Sequence, residues 1–247
     1  MDDSVRLLVN YFDATDWPMP ICPSCKKGRL IARPANITMQ EHGNSASAGW
    51  HDPPIGITGV FHGRLECTSS SCRDWVAVGG DFAVDPADDP HSATSWVQIL
   101  RLRTAYPAID ILTPPSATPH AVAAELSRAA SVVWFEPRLA VTALRISLER
   151  LMDEQGMPVS GPDGRNLSLH RRLEIFKQTH PVEGALLLAV KYVGNEGTHS
   201  ASTAISAEDV LDMAEFIEVA LEALYGEDNS AIHARATRII AAKKLVD

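Results

Sequence analysis

Four cysteines carry the clearest chemistry in the chain. They fall into two pairs, Cys22 and Cys25 in "ICPSCKKGRL" and Cys67 and Cys72 in "LECTSSSCRDWV". A Cys-Pro-x-Cys-x-x-Gly run forms a knuckle, in which two thiolates point at one metal while the amides of the turn face the sulfurs. The second pair has four residues between its cysteines rather than two. Two such hairpins facing each other supply four thiolates in a tetrahedron, the ligand set of a closed structural zinc site. Four unligated thiols, or a redox pair at Cys22 and Cys25, are the competing readings. No thioredoxin-like βαβ pattern surrounds the first pair, which disfavours redox work. His51 and His62 lie between the pairs, but four cysteines already fill the shell. A zinc with four protein ligands has no open position for catalysis, so this region is expected to be a folding device or a docking surface.

The second polar constellation is Tyr192–Ser200, "YVGNEGTHS", set between two apolar segments that read as helices. Histidine is the residue type suited to proton transfer near neutral pH; His199 is one, and Asn195 precedes it by four residues. Upstream, "ALRISLERL" places Arg145 and Glu149 four apart on a helix, where they can pair. As architecture, the segment is a turn between helices. Gly194 then takes a left-handed cap conformation, Asn195 satisfies local backbone groups, and His199 bonds Glu149 or a backbone carbonyl. As chemistry, the Arg145–Glu149 polar group faces inward at this loop and His199 moves a proton. A polar ligand pocket is the third reading.

The chain has 247 residues, 45% of them hydrophobic and 21% charged, an ordinary globular composition with room for one good core and a small satellite module. Its net charge is −9. Such a chain is not a general nucleic-acid binder, since that binding rests on neutralising phosphates; any RNA contact must be a local basic patch. The N-terminus, "MDDSVRLLVNYFDATDW", has neither a basic leader nor a long apolar run. Apolar runs such as "GALLLAV" are far too short to span a bilayer. A cytoplasmic protein with reduced thiols and no membrane partner is therefore expected. Walker A, Gly-x-Gly-x-x-Gly, His-Glu-x-x-His and Gly-x-Ser-x-Gly patterns do not occur.

These residues need elements to hold them. Residues 21–83 are rich in Gly, Pro, Ser and Thr and contain short alternating runs, "GRLIARPANITM", "GITGVFHGRLEC" and "DWVAVGGDFAV", which predict strands and turns. "SWVQILRLRTAYPAIDIL" alternates at its start, and "TPPSATP" reads as a rigid connector. From about residue 118 the period becomes helical. Thr118 is expected as an N-cap with Pro119 at the first helical position. Leu139, Val141, Leu144, Leu148 and Leu151 are expected together on one helix ending at Gly156. Ser206 and Asp209 predict a capping box, with Asp in place of the usual Glu, for a helix that stops at Gly226. Two basic clusters could face RNA or simply water: His170, Arg171, Arg172 and Lys177, and, on a final helix, His233, Arg235, Arg238, Lys243 and Lys244. Ile232, Ile239 and Ile240 of that helix could meet a second subunit.

"AYPAIDILTPPSATP", "ALRISLERL", "KYVGNEGTHS" and an acidic apolar helix ending "LYG" together resemble the bacterial domain of unknown function 4145 over roughly residues 105–226. An N-terminal zinc knuckle like "CPSC" is common in that family, which looks like a branch of the HEPN superfamily of helical bundles found in toxin–antitoxin, restriction and anti-phage systems. The resemblance implies a homodimer. Active HEPN ribonucleases work as dimers without a metal: an Arg, a neighbouring Asn and a His four residues after the Asn project from each subunit into a shared cleft, the Arg stabilising charge on the scissile phosphate and the His serving proton transfer. Asn195 and His199 match two of these positions, but Gly194 stands where the Arg is expected. Losing a charge-stabilising donor costs roughly 10²–10³ in rate. Lys191, one turn earlier, is the candidate substitute, although it lacks the guanidinium fork.

The expectation is thus an α+β protein: a β-rich zinc ribbon over residues 1–95, an extended linker over 96–118 and a HEPN-like bundle of five or six helices over 119–247. Its zinc ligands are Cys22, Cys25, Cys67 and Cys72. A non-catalytic interaction or sensor protein is the leading functional reading, with RNA or a defence-system protein as partner. A metal-independent endoribonuclease using His199, Asn195 and Lys191 is the first alternative. Nucleic-acid binding by the ribbon through Lys26, Lys27 and Arg29 is the second.

Overall fold

The computed structural model describes residues 2–46, 56–87, 96–199 and 205–227, with the backbone alone for residues 46 and 194–199. A one-turn helix α1 (Asp3–Arg6) and a two-residue strand β1 (Phe12–Asp13) lead into three long strands and a second single-turn helix. These are β2 (Leu30–Glu41), α2 (Gly43–Ala46), β3 (Thr58–Cys67) and β4 (Trp75–Pro86). A further strand, β5 (Trp96–Tyr106), follows. All pairings are antiparallel, in the order β1-β5-β4-β3-β2. The three alternating runs read from the sequence are β2, β3 and β4.

Alternation decides which face is inside. Phe61 and Leu65 on β3, Val76, Val78, Phe82 and Val84 on β4, and Leu100 and Leu102 on β5 are all buried. Their neighbours at odd steps, Val60, His62 and Arg64 among them, face out. Trp17 closes over the inner face, its ring edge-on to Phe12 at 4.9 Å and to Phe61 at 5.6 Å. The linker expected over 96–118 is corrected in its first part. Trp96–Tyr106 pairs along β4 from Pro86↔Trp96 to Ala77↔Tyr106 and belongs to the sheet.

Five helices follow among the described residues: α3 (His120–Val132), α4 (Pro137–Glu154), α5 (Leu169–Thr179), α6 (Pro181–His199) and α7 (Ala207–Tyr225). The mixed α+β class is as expected; the expected sixth helix, after residue 227, lies outside the described residues. α3 runs along α4, and α6 lies between α5 and α7. Val141, Leu144, Leu148 and Leu151 of α4 are fully buried, but Leu139 is 56% exposed. At 100° per residue Leu139 falls on the opposite side of the helix from the Leu144–Leu148–Leu151 stripe, so it does not belong to the core as expected. α3 also begins one residue later than expected. Pro119 is the N-cap, without a side-chain cap bond, rather than Thr118. The Ser206–Asp209 capping box forms in both directions, and Gly226 caps the far end of α7.

The two halves touch through charged and apolar contacts. Arg6 of α1 reaches Glu208 at 3.4 Å, Asp212 at 2.8 Å and Glu215 at 2.7 Å on α7. Glu218 of α7 accepts from the Thr113 amide at 2.8 Å. Ile109, Ile111 and Leu112, between β5 and α3, are buried in a core continuous with both halves.

Candidate metal centre

The first knuckle is built by the turn after Ile21. The Cys22 amide donates to the Gly28 carbonyl at 2.8 Å and the Lys26 amide to the Cys22 carbonyl at 3.0 Å. The second turn joins β3 to β4, with the Cys67 amide donating to the Asp74 carbonyl at 2.9 Å and the Cys72 amide to Ser69 at 3.1 Å. In both turns the residue after the second cysteine is left-handed: Lys26 at φ 55° and Arg73 at φ 58°. A left-handed non-glycine residue costs about 1–2 kcal/mol. A thiolate zinc site contributes about 10–16 kcal/mol to folding, enough to hold both turns in this shape.

All four sulfurs lie within 4.8 Å of one another. Cys22 Sγ is 3.9 Å from Cys72 Sγ, and Cys25 Sγ is 3.7 Å from Cys67 Sγ. A tetrahedron of sulfurs each about 2.3 Å from a zinc has edges of about 3.8 Å. The spacing therefore suits a zinc ion, and it is far longer than the ~2.05 Å of a disulfide; all four thiols are free. Such a group can hold a metal ion, with each sulfur contributing one bond.

The surroundings favour thiolates unequally. Amides of Gly28 and Lys27 donate to Cys25 and bring its thiol down to about 6. Burial pushes the Cys67 thiol up to about 12. A metal displaces those protons and equalises the set. Gly28 is needed for closeness: a Cβ there would sit 2.5 Å from Cys67 Sγ. His62 is exposed on the outer face of β3 opposite Gly79, so it takes no part; His51 lies outside the described residues.

The segment "GNEGTH" is not a turn. α6 continues through Gly194 and Asn195 to His199, which corrects the left-handed cap expected at Gly194. The buried face of α6 extends the helix past two poor helix formers. Leu187 and Val190 are fully buried and Val193 packs on the core, and such packing overrides local propensity. The side chains of Asn195 and His199 lie outside the described residues. Lys191 is half-buried with its ammonium 4.4 Å from the centre of the Tyr192 ring, a cation–π contact. The His170 ring of α5 meets the same Tyr192 ring edge-on at 5.8 Å. The contact between His170 and Tyr192 was not legible in the sequence, because α5 and α6 meet only after folding. Arg145 is half-buried and Glu149 exposed on α4. Among the described residues no ion pair joins them, so the expected pair does not form.

The expected basic surfaces are largely used inside the molecule. Lys26 pairs with Asp110. Arg29 holds Asp2 at 2.7 Å and donates to the Met19 carbonyl at 3.0 Å. Burial would raise the Asp2 carboxyl, but Arg29, Ser4 and the Ile21 amide hold it below its ordinary value. In the first helical cluster, Arg172 is only 6% exposed and bonds Asp153 at 2.7 Å. Arg171 pairs with Glu174 at 2.9 Å, and His170 approaches the same carboxylate at 3.5 Å. The second cluster, from His233 to Lys244, lies outside the described residues, as do Ile232, Ile239 and Ile240. No helix among the described residues is long and apolar enough to cross a membrane.

Residues 127–243 match the model of a family described as a domain of unknown function (DUF4145). This supports the resemblance drawn from the sequence, with the match starting inside α3 rather than near residue 105. Residues 10–100 match a second domain of unknown function (DUF8608), a family that the knuckle motif alone did not reveal. No curated protein and no solved structure matches the chain.

Proposed function

We propose that this is a non-catalytic interaction or sensor protein whose sheet half is a zinc ribbon and whose helical half is a HEPN-like bundle that pairs with a second copy. The setting is bacterial phage defence, restriction or toxin–antitoxin biology, an inference by family analogy. The observation that carries the non-catalytic reading is the four-thiolate cluster. A zinc held there has its shell filled by protein and no position for water or substrate. Gly194 in place of the expected Arg supports the same reading.

One observation favours the ribonuclease alternative. Because α6 runs unbroken to His199, Lys191, Asn195 and His199 follow at four-residue spacing along one helix and share a face. The test is incubation of wild-type and His199→Ala protein with total RNA, in EDTA too brief to strip the zinc. Intact RNA from folded, zinc-loaded protein is expected. Cleavage by wild type alone overturns the non-catalytic reading and makes Lys191 the next residue to change.

A further inference from the structure

The outer face of the sheet carries aromatic rings that its fold does not use. Trp75 is 54% exposed and Tyr106 is 79% exposed. The strand register places them together. Tyr106 on β5 lies opposite Ala77 on β4, and Ala77 lies opposite Arg64 on β3. Trp75 is two residues before Ala77 and opposite Glu66, so it stands on the same face, diagonal to Tyr106. Diagonal neighbours in a sheet are roughly 7–8 Å apart, close enough for two successive bases to stack one on each ring. Ala77 between them, and Gly79 beyond it opposite Thr104, are small and leave the floor low. At the knuckle end, Arg64, Glu66, Cys67, Arg73 and Trp75 enclose a shallow pocket of about 310 Å³.

The charge of this end runs against that of the whole chain. Arg33, Arg64, Arg73 and Arg103 stand here with three carboxylates, Glu66, Asp74 and Asp81, in a protein of net charge −9. Glu66 is shared by Arg33 at 2.7 Å and Arg64 at 3.1 Å. Arg33 is nevertheless 62% exposed and Arg64 52% exposed, so both keep donors facing water. Arginine serves this role well, offering a fork to phosphates and a flat face to bases.

We infer that the knuckle end of the outer sheet face binds single-stranded nucleic acid, with Trp75 and Tyr106 stacking bases and Arg64 and Arg73 contacting phosphates. Exposed rings interleaved with cations on an open sheet recognise unpaired strands, because each base offers a π-face whatever its sequence. A paired duplex buries those faces and is bound more weakly here. This names a partner class for the interaction module proposed above and rests on that reading. It replaces Lys26 and Arg29, which are tied to Asp110 and Asp2, as the nucleic-acid surface of the sheet half.

The test uses full-length, zinc-loaded protein and a fluorescent single-stranded oligodeoxythymidine, read by anisotropy. A DNA strand lacks the 2′-hydroxyl, so cleavage chemistry on α6 does not enter the result. Binding that weakens as salt rises is expected, with a preference over the matching duplex. Trp75→Ala and Tyr106→Ala should each weaken it about 5- to 150-fold, and Arg64→Gln should flatten the salt dependence. Trp75→Phe keeps a stacking ring and should retain most of the affinity, which separates stacking from loss of fold. Absence of binding by the folded wild type at low salt overturns the proposal and leaves a protein as the occupant of this face. Binding indifferent to the Trp75→Ala, Tyr106→Ala double variant overturns it too.

Discussion

On α4, Leu144, Leu148, Leu151 and Met152 are fully buried, enclosed by neighbouring helices that supply apolar stripes of their own. At the knuckle end of the sheet, only Cys22 of the four cysteines is buried, and Trp75 and Tyr106 beside it face water. The bundle can hold its shape by removing side chains from water, at about 25 cal/mol per Å² of apolar surface. The knuckles have no comparable interior and contain two left-handed non-glycine residues. Their shape depends on what the four sulfurs bind. Two regions of one chain thus answer to different chemistry, the bundle to packing and the knuckle turns to the four sulfurs that can hold a metal.

The largest effect should separate them. Stripping the metal with a strong chelator, or Cys25→Ser, is expected to collapse the knuckle end and quench its tryptophan signal, while helical circular dichroism persists. One zinc per chain should be lost together with the tryptophan change. A matching loss of helix would mean that the halves fold as one unit and would end the comparison. Acid should act in the same direction. The metal-free Cys25 thiol sits at about 6 rather than its ordinary 9.0, so its folded-state contribution is complete above about 9 and is lost as pH falls through about 6. Zinc release measured with a chromophoric chelator should therefore rise below about pH 6.

A smaller effect belongs to the bundle. Leu148→Ala removes a fully buried side chain and should cost about 2–5 kcal/mol. Thermal unfolding followed by helical signal should shift down with zinc content unchanged. A fall in zinc content would show that the core transmits damage across the halves.

Smaller again is Gly28→Ala. The added methyl would meet Cys67 Sγ at 2.5 Å and the Ser69 amide at 2.9 Å, an overpacking cost of about 1–3 kcal/mol. Competition with a chelator should reveal weaker zinc binding, and the melting of the bundle should be unmoved. Unchanged zinc affinity would mean that the two knuckles can part to admit the methyl, so that the sulfurs are less rigidly set than their spacing indicates.

Local signals carried much of this architecture. Cys-Pro-x-Cys-x-x-Gly was enough to foresee a knuckle, because its bonds close within a few residues. The Ser206–Asp209 box and the alternation of β2 to β4 are equally short-range, and they form as read. Leu139 lies off the buried stripe of α4, a placement that the 100° helical step alone dictates.

What the linear chain did not contain was the meeting of distant parts. Cys22 comes to Cys72 across 50 residues and Cys25 to Cys67 across 42, an encounter that the β2–β4 meander enforces. Trp96–Tyr106 has the alternation of a strand, but only the free edge of β4 draws it into the sheet. Gly194 and Asn195 favour a helix end on their own; buried neighbours on α6 carry the helix through them. Lys26 and Arg29 look free in the sequence, and folding brings Asp110 and Asp2 to them. Residue type and short spacing determined which groups could do chemistry here, because those bonds are local. Only the tertiary structure decided which of them meet, because burial and charge pairing depend on what lies across the fold.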